Sequence, residues 1–358
     1  MPIQTAADSI SNSQGSPYGF KNRIINGAMA IDQRNAGASV TITTDNTFTL
    51  DRWSTAATAS SKFSVQQSTT AATGFINSLL ATSLSAYSVG SGDIFAFKHT
   101  IEGLNVADLG WGTVNAQTIT VSFWVRSSLT GTFGGALQNG DQNRSYPFSF
   151  TISAANTFEY KTVTIAGDTS GTWLTNNGKG LLLWINLGTG STGSGTAGAW
   201  AGAAYWAPTG ATSVVGTNGA TFYITGVQLE KGTQATAFDY RDYGNELRLC
   251  QRYYETSYAS GTAVGTATNS NIIWWYAQSS GTYNNQITFY KVPKRVGATI
   301  VFYSALGTSG KITNQDTVTD VTGRLINSGT NNITIGADNV SINQWVAITY
   351  HYTASAEL

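Results

Sequence analysis

The stretch FYITGVQLEKGTQATAFDYRDYGNELRLCQRYYE, residues 222–255, decides how this chain is read. Its first part alternates: Phe222, Ile224, Val227 and Leu229 are apolar, set between polar neighbours and Gly226, which suits a half-buried strand. A turn follows at Lys231-Gly232. From Asp239 to Glu255 there is no proline, and the pattern is the longest in the chain compatible with a helix. Leu247, Cys250 and Tyr254 fall at i, i+3 and i+7, one apolar seam, and Asp242 is a fair N-cap because its carboxylate can accept from first-turn N–H groups. Glu246 comes one residue late for a strict capping box. The stretch predicts a strand, a turn and a connecting helix over 239–256 between two β-regions.

Composition agrees with β-structure on both sides. Only 11% of the 358 residues are charged, against roughly 25% in an average domain. Glycine is abundant, at 39 residues, and aromatics reach 12%, too many for a disordered chain. Gly, Thr, Ser and Asn mixed with Trp and Tyr point to short strands joined by tight turns, hence to an all-β sandwich or barrel. Formal net charge is zero, from 19 basic and 19 acidic residues, which argues against a nucleic-acid partner. The single Cys250 excludes an intramolecular disulfide framework. The first residues are polar, so no secretion signal is expected. Nowhere do eighteen apolar residues follow one another, so no membrane insertion is expected.

Strands succeed one another from residue 22 to 238. Ile119, Val121, Phe123 and Val125 make one core face; Leu181, Leu183, Ile185 and Leu187 make another. Residues 148–152 and 163–165 are further strands, separated by turn clusters around Gly90, Asn139-Gly140-Asp141 and Asn176-Asn177-Gly178. The run GTGSTGSGTAGAWAG, 188–202, predicts a mobile or wrapped surface loop. Residues 1–21 read as an extended arm. Beyond 256, strands are expected at 272–276, 286–290, 299–303, 333–335 and 345–352. No fixed-period repeat is present, which argues against a solenoid or propeller. The fold expected is all-β: a jelly-roll-like β-sandwich over 22–238, one connecting α-helix over 239–256, and a small C-terminal β-domain over 257–358.

Material for catalysis is scarce. His99 and His351 are the only histidines, and each sits in an ordinary strand context, so no catalytic residue is assigned. The same scarcity leaves no His/Cys metal set and no cofactor. Glu102 with Asp108, or Asp239 with Asp242, could be paired by folding, but none lies in a recognisable motif. Asp93 and Asp141 are read as turn formers before calcium ligands. The tryptophans are the larger resource, because a flat ring offers an apolar face to the C–H face of a sugar while Asn, Gln and Thr bond its hydroxyls. The glycan-binding candidates are Trp111, Trp124, Trp173, Trp184, Trp200, Trp206, Trp274 and Trp275. Trp124 and Trp184 both point away from their strands' core faces. Were those strands neighbours, the two rings would share one outer face, open to a glycan or covered by a partner subunit or a loop.

Asn22-Arg23-Ile24-Ile25-Asn26-Gly27-Ala28-Met29, then Ile31-Asp32-Gln33-Arg34 and Leu50-Asp51-Arg52-Trp53, resemble the start of a module recurring in phage tail-fibre and related virion proteins. TITVSFWVR at 118–126 is similar to that module's central strand. Gly226-Val227-Gln228-Leu229-Glu230-Lys231-Gly232, Ala237-Phe238-Asp239-Tyr240-Arg241 and Leu249-Cys250-Gln251-Arg252-Tyr253-Tyr254 are the most specific part, and Ala354-Ser355-Ala356-Glu357-Leu358 fits the usual end. The resemblance implies a carbohydrate-binding-module-like jelly roll, a helix and a C-terminal β tip. It further implies a homotrimer on the virion, assembled in the host cytoplasm, adhering to host surface glycans. Residues 1–21 would attach it to other virion proteins, and Leu247, Cys250 and Tyr254 would face the threefold axis. A capsid or neck decoration role is the alternative. A polysaccharide depolymerase is disfavoured by the absence of a repeat and of a carboxylate motif.

Overall fold

A computed structural model describes residues 21–277, 285–337 and 346–358. The expected arm, 1–21, lies outside the described residues except for Lys21, as does residue 345 at the start of the last expected strand. The first twelve strands are β1 (Val40–Thr41), β2 (Phe48–Leu50), β3 (Trp53–Ala57), β4 (Phe63–Ser68), β5 (Ser78–Ser83), β6 (Ile94–Glu102), β7 (Ile119–Ser127), β8 (Gly131–Asn139), β9 (Ser145–Ile152), β10 (Glu159–Ile165), β11 (Lys179–Thr189) and β12 (Ser194–Gly195). β13 (Ala207–Pro208) pairs with β12 in a separate two-stranded sheet, and β14 (Thr221–Lys231) completes the sandwich. Helix α1 (Tyr243–Gln251) leads to β15 (Tyr254–Thr256), β16 (Ile273–Ala277), β17 (Asn285–Phe289), β18 (Thr299–Tyr303), β19 (Lys311–Asn314), β20 (Thr319–Ser328), β21 (Asn332–Ala337) and β22 (Val346–Ser355). The architecture is all-β, a jelly-roll-like sandwich followed by one helix and a smaller C-terminal sheet region.

Two six-stranded sheets form the sandwich, in the orders β1-β4-β5-β14-β7-β10 and β2-β3-β6-β11-β8-β9. Their pairings are antiparallel, so period-2 alternation places one side of each strand in the core. Ile119, Val121, Phe123 and Val125 of β7 share that core with Phe222 and Ile224 of β14. Phe95 and Phe97 of β6, Phe133 of β8 and Leu181, Leu183, Ile185 and Leu187 of β11 lie in the same core. The step from Ile224 to Val227 is three residues, where strict alternation allows two. The structure resolves it as a bulge: pairing with β7 slips between Thr225 and Gln228, and Gly226 takes a φ of +60°. A Cβ at Gly226 would lie 2.5 Å from the Phe75 ring, so glycine is required there for two separate reasons.

The helix is shorter than the sequence predicts. Asp242 caps it, accepting from the Asn245 N–H at 3.0 Å, and nine residues follow. Asp239 is not helical because its N–H donates to Gln228 Oε1 at 2.8 Å, which ties it to the sandwich. Tyr254 and Glu255 leave the helix for β15, paired with Ser355 and Ala354 of β22. The seam expected to face a threefold axis therefore does not exist as one helix face. Cys250 is buried within this chain against Ile25, Ile31, Tyr253 and Leu358, with Leu247 partly buried beside them, and Tyr254 lies under the Arg34 guanidinium at 3.6 Å.

In the C-terminal region β22 is the organising strand, pairing β15, β16, β18 and β19. Its Ile348, Tyr350 and Tyr352 pack with Trp275, Phe302, Ile312, Ile333 and Ile335. The joint to the sandwich is ionic. Glu357 pairs with Arg34 at 2.7 Å and with Arg52, whereas the fully buried pair of Glu255 and Lys294, at 2.6 Å, lies within the C-terminal region itself. Among the described residues no helix is long and apolar enough to cross a membrane.

Candidate binding groove

The residues between β14 and α1 do not bridge open space. They run over the outer face of the first sheet as a strap, held by two buried side chains that β14 presents outward. Gln228 Oε1 accepts from the Asp239 N–H and its Nε2 donates to Glu230 Oε1, both at 2.8 Å. Glu230 also accepts from the Thr236 N–H at 2.8 Å and its hydroxyl at 2.7 Å. Lys21 Nζ donates to the Ala237 carbonyl from the other side.

Beside the strap lies an open groove of about 540 Å³. Ser122 and Trp124 of β7 and Gly226 of β14 contribute the sheet surface, and Tyr160 of β10 lies directly across from Trp124 in register. The two rings are 5.3 Å apart and inclined at 47°. Thr73 and Phe75, from the β4–β5 connection, and Thr236, Phe238 and Tyr240, from the strap, are in the same lining. Phe75, Phe238 and Tyr240 form a ring trio with centroids 4.8–5.4 Å apart, and the Tyr240 hydroxyl donates to the Gly74 carbonyl at 2.8 Å. Ring faces alternate here with the hydroxyls of Ser122, Thr73 and Thr236. Among the described residues no Asp, Glu, Lys, Arg or His lines the groove.

Of the eight candidate tryptophans, Trp124 alone is in this groove. Trp184 is on β11 of the other sheet, so the two rings occupy opposite outer faces of the sandwich. There Trp184 is buried, with its Nε1 donating to Gln138 Oε1 at 2.8 Å and Trp206 edge-on at 6.4 Å. Of the 188–202 run, Gly188 and Thr189 end β11, and the Gly198 and Ala201 N–H groups donate to the Pro147 and Ser145 carbonyls of β9 on the same sheet. Trp111, Trp173 and Trp200 meet in a mutual edge-to-face cluster with centroids 4.7–5.5 Å apart. Their indole N–H groups donate to the carbonyls of Gln117, Ser170 and Ala166. That is how core tryptophans are satisfied. On β16, Trp275 packs into the core and Trp274 is 58% exposed with Tyr276 edge-on at 5.4 Å. The sequence did not single out Phe75 or Tyr160, and Phe238 and Tyr240 entered only through the resemblance, not as binding candidates. The aromatic pair in Ala237-Phe238-Asp239-Tyr240, too apolar for an exposed helix start, was the available signal.

The titratable groups are engaged elsewhere. Burial pushes the His99 imidazole down to about 3, its Nε2 facing the Ile25 carbonyl at 3.0 Å. His351 lies stacked on Tyr258 at 4.0 Å between Ser257 Oγ and the Thr268 carbonyl, and burial lowers it too. Glu102 and Asp108 are not a pair: each is held bidentately by its own arginine, Arg252 and Arg23. Asp239 accepts from the Asn22 N–H and Asp242 caps α1. Asp93 closes a turn, accepting from Thr58, Tyr87 and Gly90. Among the described residues no three His, Cys, Asp or Glu side chains are grouped to hold a metal ion.

No protein-family model and no curated protein matches the chain. Solved structures similar to parts of it include the enzymatically active domain of tailspike protein 4 of bacteriophage CBA120, at 13% identity and TM-score 0.33, covering 59% of this chain and 21% of that one. The chain thus spans about a fifth of that structure's length. A structure described as a family 4 carbohydrate-binding module is 14% identical with TM-score 0.32, covering 58% of this chain and 99% of that one. A Bacteroides thetaiotaomicron structure whose description names sugar binding only as an assignment is 12% identical with TM-score 0.36, covering 59% of this chain and 100% of that one.

Proposed function

We propose that the chain is a non-enzymatic structural protein of a bacteriophage virion, a homotrimeric tail fibre or receptor-binding protein that adheres to host surface glycans. The observation that carries the glycan reading is the groove: a Trp124–Tyr160 pair and a second ring cluster, interleaved with hydroxyls, on a sheet face open to solvent. A sugar ring can lay its C–H face on Trp124 while the exposed Thr73 hydroxyl bonds its hydroxyls and the Thr236 hydroxyl, whose proton goes to Glu230, accepts from them. Such a site is weak alone, and three copies on one fibre raise its avidity without new contacts. The virion assignment rests on the resemblance of the 22–53, 118–126, 226–254 and 354–358 motifs. The non-enzymatic reading is supported by the engagement of both histidines and of Glu102 and Asp108 in the fold.

The test is binding of the purified full chain to host cells and to a panel of neutral and acidic oligosaccharides, beside Trp124→Ala. Saturable binding that Trp124→Ala weakens about tenfold or more is the expected result. Binding indifferent to Trp124, or none at all, sinks the glycan reading. A monomer by light scattering at micromolar concentration contradicts the trimer, labelling spread over the capsid of intact particles favours decoration, and release of reducing ends from host polysaccharide contradicts the non-enzymatic reading.

A further inference from the structure

The groove does not stop at its aromatic rim. Phe75, Phe238 and Tyr240 line it on one side and, on the other, a second pocket of about 220 Å³. That pocket continues over Gly27, Ala28 and Ala30, over Ile76, and up to Tyr243 of α1. Ile76 is 80% exposed and Tyr240 59%, a large apolar surface for two residues on a loop and a strap. Three charged side chains, Asp239, Arg241 and Glu246, also line it, and each is occupied by the chain itself. Asp239 accepts from the Asn22 N–H, Arg241 pairs with Glu246 at 3.1 Å and donates to the Ile24 carbonyl at 3.1 Å, and Glu246 accepts from the Asn26 N–H. The pocket thus offers hydrocarbon and ring faces, where the groove offers ring faces with hydroxyls.

We propose that groove and pocket are one bipartite site, and that its ligand is an uncharged glycan carrying an apolar substituent, an alkyl or acyl chain or an aryl group, that reaches past Phe75 and Tyr240. This deepens the glycan reading of the groove and rests on it. Two physical arguments support it. A carboxylate or phosphate on a sugar in the groove would leave water and meet no cationic side chain among the described lining residues, and the neighbouring Lys21 ammonium is already bonded to the Ala237 carbonyl, so charge is selected against. An alkyl chain entering the pocket would lose its water against Ile76, Ala28 and Tyr243, and each buried methylene tightens binding about fourfold. The shared rings make the two parts continuous, so one ligand can fill both.

The test uses the full chain and calorimetric titration with matched methyl and octyl glycosides of glucose, galactose and mannose, below micelle-forming concentrations, plus octyl glucuronide. Wild type is compared with Trp124→Ala and with Ile76→Asp, a largely exposed position outside the core whose change leaves folding intact. For at least one hexose the octyl glycoside is expected to bind about tenfold or more tighter than the methyl glycoside. Ile76→Asp should remove that gain while leaving the methyl affinity, Trp124→Ala should weaken both, and octyl glucuronide should bind more weakly than octyl glucoside. Methyl glycosides that bind through Trp124 with no octyl gain overturn the bipartite site and leave the glycan reading standing. Octyl binding that ignores the sugar and Trp124, an octyl gain that survives Ile76→Asp, or equal binding of the glucuronide overturns the proposal. A change of oligomeric state in Ile76→Asp without a change in binding overturns it too, assigning the face to contact between copies. No binding by any probe overturns both readings.

Discussion

Arg252, just beyond the last turn of α1, grips Glu102, the last residue of β6, through two parallel hydrogen bonds: Nε to Oε2 at 2.9 Å and Nη2 to Oε1 at 2.7 Å. Burial pushes the Glu102 carboxyl up, but the bonds from Arg252 and from the Tyr253 hydroxyl outweigh it and hold it below its ordinary value. The pair joins the sandwich to the helix, and Arg52, lying over the Tyr253 ring at 3.6 Å, continues the joint toward Glu357. Arg252→Ala leaves a carboxylate only 1% exposed with the Tyr253 hydroxyl as its remaining side-chain donor. The expected cost is about 2–3 kcal/mol, near the low end for breaking a buried pair because the Arg252 side chain is one-third exposed. Calorimetry should show the melting transition several degrees lower, and a double-mutant cycle with Glu102→Gln should show coupling. Additive single effects would mean the pair is not what joins the two parts.

The tryptophans divide into two kinds, and one pair of substitutions separates them. Trp111 is buried in its cluster with Trp173 and Trp200. Trp111→Ala should destabilise by about 3–5 kcal/mol and leave glycan affinity unchanged in whatever fraction stays folded. Trp124→Ala should do the reverse. Equal loss of stability in both, followed by chemical denaturation, would show that Trp124 is a packing residue.

How much of this was legible follows from which contacts are local. The β7 alternation, Thr118 to Arg126, showed Trp124 on an outer face because period 2 is a property of one strand. That Trp184 lies on the opposite side of the molecule depends on which strands pair, and β7 and β11 belong to different sheets through partners tens of residues away. The three-residue step from Ile224 to Val227 was in plain view and is the bulge at Gly226. The N-cap was legible in Asp242, but the extent of the helix was not, because Asp239 is drawn to Gln228 and Tyr254 to Ser355 by tertiary hydrogen bonding that no local propensity encodes. Trp111, Trp173 and Trp200 stood in loop-like sequence and looked free, since their meeting is made by chain segments far apart. The groove went unseen for the same reason: Phe75 and Tyr240 are 165 positions apart and 5.4 Å from ring to ring.

Asp51 gives the joint a pH dependence of unusual sign for a carboxylate. Burial pushes it up to about 6 from 3.8, against the pull of Arg34 and of the Gln33 hydrogen bonds, with Glu357 adding to the rise. Between about pH 4 and 6 the folded chain therefore holds a proton that the unfolded chain releases. The unfolded state binds fewer protons, so this group's contribution to stability falls as pH rises through that window. The full effect is on the order of 2–3 kcal/mol. Asp51→Asn removes it, so the difference in melting temperature between wild type and variant should move against the wild type from pH 4 to pH 6.5. Parallel curves over that range would contradict the assignment.

Cys250 tests where the α1 seam is used. Its thiol is enclosed by Ile25, Ile31, Tyr253 and Leu358, and burial pushes it well above the ordinary thiol range. The thiolate is the reactive form, so the native chain should resist a thiol reagent such as Ellman's at pH 8 and yield one equivalent only in denaturant. Cys250→Ser places a hydroxyl in this apolar cluster and should cost about 1–2 kcal/mol. Because Cys250 packs within one chain, that variant should keep the oligomeric state of the wild type in light scattering at matched concentration. Dissociation of the assembly on this substitution alone would return Cys250 to an interface between copies.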